Sequence, residues 1–282
     1  MGVTLSYSGL GGKVKFSGTS GRFKTVYTKP LLLSLYPGAA GAYSLRKLSS
    51  TYAGSAIRVR RSSDNTETNI GFNSTDGLDT TSLTSFVGAG SGFVTTWYDQ
   101  SGNARDMVQA TNANQPIIVN TGTIQIINGK PVVYFDTNAK SLSVAYGFTG
   151  DNSFIFDVLQ SNDNTFLVYH GQSGGFYYAS VGNAGDGNVN INSNATIYQY
   201  YRNGTLQTSP TTRAQVYNLV STNTQILLTH KLALNVWPAF MISGYSAYEF
   251  VHYKSEIIIY NTDQTTNRAA IESNINSYYT IY

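Results

Sequence analysis

Residues 93–110, FVTTWYDQSGNARDMVQA, set a β-branched and aromatic run against a polar turn. FVTTWY has the composition of a strand, and DQSGN supplies residues that bond their own backbone or adopt turn conformations. The same alternation of short strand and turn recurs downstream in QPIIVN, IQII, PVVYFD, SFIFDVLQ, TFLVYHG, FYYASVG, ATIYQYYRNG, TQILLTHKL, FMISGY and EIIIYN. Asn128-Gly129, Asp186-Gly187 and Asn203-Gly204 are dipeptides that favour tight hairpins. Short strands at this density, with little sustained helical period, predict an all-β chain folded as an antiparallel two-sheet jelly roll with short helices.

Working towards the N-terminus, Ile57, Val59, Ile70 and Phe72 flank Asp64-Asn65 and predict a hairpin whose first strand carries Arg58, Arg60 and Arg61. Ala42, Leu45, Leu48 and Tyr52 have near-helical spacing and predict two or three helical turns before Gly54. Asp76 to Phe86 predicts a short helix capped by Asp or Thr. Thr265 to Tyr278 predicts a closing helix that packs through Ala269, Ile271 and Ile275. Residues 1–36 form a separate N-terminal arm in which Pro30 and Pro37 bracket LLLSLY. Its Leu31, Leu32, Leu33 and Leu35 require cover, either from the same domain or from a partner subunit. No linker divides residues 37–282, which are expected to form one jelly-roll domain.

Composition narrows the function. The chain has 282 residues, enough for a sizeable core, and only 12% of them are charged. A net charge of +3 with scattered cations gives nucleic-acid binding little support. There is no cysteine, and the three histidines, His170, His230 and His252, lack zinc-site spacing. No metal and no cofactor is expected. The 22 tyrosines fit both a sheet core and a recognition face. MGVTLSYSGLGGKVKFSG has no apolar segment behind a basic start, and no run is long enough for a membrane span.

NGKPVVYFD (128–136), YYRNGTL (200–206) and EIIIYNTDQTTNRAAIESNINSYY (256–279) resemble the pattern of concanavalin-A-like, laminin-G-like jelly rolls. AYSLRKLSSTYAGSAIRVRRSSD (42–64) and WYDQSGNARDMVQA (97–110) resemble the catalytic domain of fungal-type α-L-arabinofuranosidases, itself a jelly roll. That resemblance implies two carboxylates flanking a sugar, a nucleophile and a general acid/base. The segment matching the nucleophile strand, GGFYYASVG (174–182), has Tyr177 where a Glu is implied. The segment matching the acid/base turn, MISGYSAYEF (241–250), has Ser243, Gly244 and Tyr245 there, with Glu249 the nearest acid.

The remaining candidates follow from chemistry. Trp97, inside an apolar strand, reads as core, and Trp237, beside Pro238, is a candidate for stacking on a sugar ring together with Tyr177 and Tyr245. Tyr178 and Tyr200 are further candidates for that platform. Asp151, Asp157, Asp163 and Asp186 fall in or near turns, where Asp bonds its own backbone. Glu256 reads as a structural acid, and Arg58 and Arg60 as a solvated face or partners of Asp99 or Asp106. Asp99 is expected to accept backbone bonds in a structural corner completed by Ser101, Gly102 and Asn103.

These readings lead to an expected function: a non-catalytic virion appendage, such as a head fibre, decoration or tail-associated protein. Its arm would contact capsid or tail proteins and promote self-association, and its jelly roll would display a surface for host glycans, with no nucleic acid and no membrane span. A glycoside hydrolase of arabinofuranosidase type, using Glu249 or Glu256 with a loop Asp, is the alternative. A bacterial surface lectin-like module, extracellular rather than on a virion, is the third reading.

Overall fold

The computed structural model describes residues 30–137, 139–161, 195–208, 212–220, 223–234, 239–242 and 251–282, with the short strand segments 14–15, 26–27, 165–167 and 179–181. After the single-turn helix α1 (Leu32–Leu35) come β1 (Gly41–Ser44), β2 (Ile57–Arg61), β3 (Glu67–Ile70), α2 (Thr80–Val87), β4 (Gly92–Trp97), β5 (Met107–Val108), β6 (Ile117–Asn120), β7 (Val133–Phe135) and β8 (Leu142–Val144). The second half contains β9 (Gly150–Ser161), β10 (Ala195–Arg202), β11 (Thr205–Gln207), α3 (Arg213–Val220), β12 (Ile226–Leu234), β13 (Phe240–Ile242), β14 (His252–Tyr260) and α4 (Arg268–Tyr279).

Pairing is antiparallel and runs β11-β10-β12-β9-β14 and then β7-β6-β4-β5-β8-β13, with β1 also on β14 and β2 bridging β3 and β4. Strand β14 is where the layers part. Its residues 252–254 pair with β7, and residues 256–259 pair with β1. The result is the expected all-β jelly-roll sandwich, with α4 laid on the outside of one sheet.

Burial explains why the strands read as they do. β9 sends Ile155 and Leu159 into the core between the layers, and Phe154, Phe156 and Val158 into a second cluster beneath α4. A strand covered on both faces has no polar side, so its sequence is a near-continuous apolar run. β1 is covered likewise, with Tyr43 facing the main core and Ala42 the outer cluster. This corrects the expected helix at residues 42–52. Ala42, Leu45 and Leu48 are buried, but they alternate between two cores and do not form one helical stripe. Gly41 is needed there, because a Cβ would lie 2.9 Å from the Phe148 ring.

Other elements form as expected. The β2–β3 hairpin turns at Asp64-Asn65, with Asn65 at φ 61. Asp79 caps α2 by accepting the Ser82 N–H at 3.0 Å. Asn203-Gly204 has φ 51 and 77, the twist-matched tight turn its composition favours. In α4, Ile271 and Ile275 pack inward while Ala269 is exposed, which narrows the expected apolar face. Leu32 and Leu33 pack in the outer cluster with Ile271 and Ile275. Leu33 N–H donates to Leu48 O, and the Tyr260 hydroxyl donates to Tyr36 O, so residues 32–36 are stitched to the domain itself.

Candidate active site

Among the described residues, the main core holds one group of charged and titratable side chains. On β9, Asp157 occupies an inward position between Ile155 and Leu159, and its side chain is fully buried. The Lys254 ammonium, reaching from β14, lies 2.5 Å from its carboxylate and is equally buried. On β12, His230 sits opposite Tyr200, with ring centroids 5.4 Å apart. On β14, His252 stacks on Phe135 at 4.6 Å with an interplanar angle of 9°. Gln225, just ahead of β12, donates to the Ser255 hydroxyl of β14 at 2.8 Å.

Burial governs the electrostatics of this group. It pushes His230 down to about 3, with the neighbouring Lys254 charge acting in the same direction, and holds His252 well below the usual range for the same two reasons. It also lowers Lys254, whose charged form Asp157 supports. The arrangement is therefore an ion pair flanked by neutral imidazoles in a low-dielectric interior.

Acid should cost this fold stability. The unfolded chain takes up a proton on each imidazole below about pH 6.5, whereas folded His230 stays neutral until about pH 3. Falling pH therefore favours the unfolded state from about 6.5 downward, and the penalty levels off near pH 3. At pH 5 the His230 share is on the order of 2 kcal/mol, and His252 adds in the same direction. Denaturant melts at pH 7 and pH 5 should show that loss, and His230→Gln should shrink it. Equal stability at the two pH values would contradict the neutral-imidazole assignment.

The other candidate acids are engaged structurally. Glu256 faces the opposite side of β14, under α4, and lies within that strand, not at its start. Its two oxygens accept from Arg46 Nε at 2.7 Å and Nη2 at 2.9 Å. Its Oε2 also accepts the Ser44 hydroxyl at 2.7 Å and the Tyr279 hydroxyl at 3.3 Å, while Arg46 Nη1 donates to Asn274 at 3.0 Å. A carboxylate so committed has no role at a sugar, and the structural reading of Glu256 stands. Asp99 is similarly committed. Its Oδ1 accepts the backbone N–H groups of Ala42 and Ser101, both at 2.9 Å. Its Oδ2 accepts the Ser101 hydroxyl at 2.7 Å and the Arg105 N–H at 3.1 Å. Its own N–H donates to Asp106 at 2.9 Å. Burial and the Asp99 charge push Asp106 up, against the pull of that N–H.

Several expected site residues move or fall away. Asp157 is not near a turn but in the middle of β9, because β9 extends through Gln160 to Ser161. Tyr200 points into the main core at 1% exposure and offers no surface for a sugar. Arg58 pairs with Glu67 at 2.6 Å, and Arg60 is buried over the Phe93 ring, donating to Gln115 at 2.7 Å. Neither pairs with Asp99 or Asp106. Trp97 is fully buried, edge-on to Tyr43 at 6.4 Å. Trp237, Tyr177, Tyr178, Tyr245, Glu249, Asp163 and Asp186 lie outside the described residues. The Lys254, His230 and His252 set was missed in sequence. Its only signal is a polar residue at an inward position of an apolar run, as in ILLTHKL.

The corner built on Asp99 joins β1, β4 and the turn after β4, the same residues that carry the sequence resemblance. A family model described as the catalytic domain of alpha-L-arabinofuranosidase B matches residues 35–177, half of the chain. The chain belongs to this family. That membership overturns the expectation of a non-catalytic virion appendage, since the match is to a glycoside hydrolase catalytic domain. No curated protein matches the chain. Solved structures share the arabinofuranosidase fold. A GH54 α-L-arabinofuranosidase soaked with a cyclic sulfate inhibitor superposes with a TM-score of 0.56 at 16% identity, covering 84% of this chain and 62% of that one. An arabinofuranosidase complexed with arabinofuranosyl-alpha-1,2-xylobiose gives a TM-score of 0.54 at 18% identity, with the same coverage. The chain thus spans about three fifths of the length of these arabinofuranosidase structures.

Proposed function

We propose that the chain is a glycoside hydrolase domain that cleaves α-L-arabinofuranosyl linkages in polysaccharide. Family membership over residues 35–177 is the observation that carries this reading. Cleavage of a glycosidic bond requires two carboxyl groups flanking it, one to protonate the leaving oxygen and one to act as base or nucleophile. The engagement of Glu256 by Arg46, Ser44 and Tyr279 removes it from the candidates. Glu249, three residues ahead of β14 in sequence, is our assignment for one acid, and Asp163 or Asp186 for the other. Trp237, Tyr177 and Tyr245 are assigned to stacking on the sugar, where a flat ring covers the apolar C–H face.

The test is release of nitrophenol from 4-nitrophenyl α-L-arabinofuranoside, the compound soaked into a mutant GH54 enzyme of the same fold. Glu249→Gln should lower the rate about a hundredfold or more, as should either Asp163→Asn or Asp186→Asn. Trp237→Ala should raise KM more than it lowers kcat. Wild-type inactivity on this substrate and on arabinose-bearing polysaccharides would overturn the proposal.

A further inference from the structure

On the outer side of the sandwich, away from the Asp157–Lys254 pair, a cleft of about 240 Å³ opens between the chain entering α1, the residues after β1, the turn at residues 73–77 and α4. Pro30 and Leu31 form its apolar lip, and Lys47, Asp76, Asn274 and Tyr278 line its polar walls. Two of these walls are tied together, because Lys47 N–H donates to Asp76 O at 2.7 Å. Asp76 is held in the left-handed region at φ 63, its N–H donating to Asn73 O at 3.1 Å. Beneath lies the Arg46 guanidinium, neutralised by Glu256 and fixed by Asn274. The Tyr278 ring is clamped between Arg46, 5.0 Å from its centroid, and the Lys130 ammonium at 4.2 Å.

Packing and pairing account for Arg46, Glu256 and the Tyr278 ring, but not for the polar ends of Lys47, Asp76 and Tyr278. Among the described residues, the Lys47 ammonium, the Asp76 carboxylate and the Tyr278 hydroxyl make no hydrogen bond or ion pair within the chain. Residues bearing a cation, an anion and a phenol, Lys47, Asp76 and Tyr278, line one cleft with an apolar lip. A simple anion would meet the Asp76 carboxylate, and a simple cation the Lys47 ammonium. A ligand that is neutral, supplies donors and acceptors together and has one apolar face satisfies all of them. The volume lies below the roughly 300–1,000 Å³ of drug-sized pockets, which suits one ring of a chain that continues into solvent.

We propose that this cleft is an accessory carbohydrate-binding site that takes a single neutral sugar residue of a polysaccharide. The Lys47 ammonium and the Tyr278 hydroxyl donate to ring hydroxyl oxygens, Asp76 accepts from ring hydroxyls, and Leu31 and Pro30 cover the C–H face. The choice of polymer, an arabinose-substituted xylan, rests on the hydrolase reading, but binding at the cleft does not require catalysis.

The experiment uses the whole chain, with arabinofuranosyl-xylobiose as the soluble probe and insoluble arabinoxylan as the polymer. Lys47→Met, Asp76→Asn and Tyr278→Phe each remove one polar head, and Asn at position 76 retains a residue type that accepts positive φ. Each should keep a thermal midpoint near that of the parent. Each should weaken retention on arabinoxylan about three- to tenfold, the double variant Lys47→Met/Tyr278→Phe more, and shift the amide resonances around residues 75–77 less on titration with the probe. Nitrophenyl arabinofuranoside turnover should be unchanged. Well-folded variants that retain arabinoxylan like the parent would overturn the site. A parent without hydrolytic activity that still binds through these residues would sink the hydrolase reading and leave the site standing.

Discussion

Asp99→Ala is expected to lower the unfolding free energy by about 4 kcal/mol or more, with little effect on sugar binding at the outer cleft. Four hydrogen bonds end on this one buried carboxylate, three from backbone N–H groups and one from a hydroxyl. Bonds to a charged acceptor contribute about 1.5–3 kcal/mol each, and buried donors left without a partner carry their own desolvation cost. The four cannot be summed, because they share an acceptor and part of the turn relaxes towards water. The Ala42 bond matters most. It joins β1 to the turn after β4, residues 57 apart in sequence. Asp99→Asn keeps an acceptor but not the charge, and should fall between the two. Denaturant unfolding monitored by circular dichroism checks both. A loss below about 1 kcal/mol for Asp99→Ala would show that the corner is held instead by Gln100, which accepts the Leu48 N–H and donates to Ser44 O and Arg46 O, and by Asn103, which donates to Ala39 O and Ala40 O.

The second large effect concerns Arg46 and Glu256. Glu256→Ala should cost about 3–5 kcal/mol, because it leaves the Arg46 guanidinium buried without its counter-charge. The Ser44 and Tyr279 hydroxyls lose an acceptor in the same step. Removing both charges, as in Arg46→Met/Glu256→Leu, should recover much of the loss, since a buried ion pair contributes little net stability over apolar residues of similar volume. A double-mutant cycle by chemical denaturation measures the coupling. If the double variant is as unstable as Glu256→Ala alone, the pair does more than balance its own charges.

Much of this fold could be read from the chain. The β2–β3 hairpin, the α2 cap, the Asn203-Gly204 turn and the run of strands from Phe93 onward rest on local chemistry that tertiary structure does not override. The errors have a common origin in strands buried on both faces. β1 lies between two cores, so its apolar residues follow neither a clean period of two nor one helical stripe. β9 hides Asp157 in the same way, because an acid flanked by Phe156 and Val158 looks like a strand end when the strand is taken to have a wet side. The partner of that acid, Lys254, is 97 residues away, and only the pairing of β9 with β14 brings them together. For function, the corner at Asp99 pointed to the right family, while the absence of acids in two short segments led to a virion reading that the family match contradicts.

The position of β14 has a further consequence. This strand is the seam on which both layers are sewn, to β9 along one edge and to β7 and β1 along the other. It is also the last strand in chain order among the described residues. Without residues 252–260 the strand order falls into two halves, each with an open edge where that strand belongs. The two halves cannot close on one another until that central strand is in place. Folding therefore depends on how quickly residues 252–260 reach the gap before another edge does.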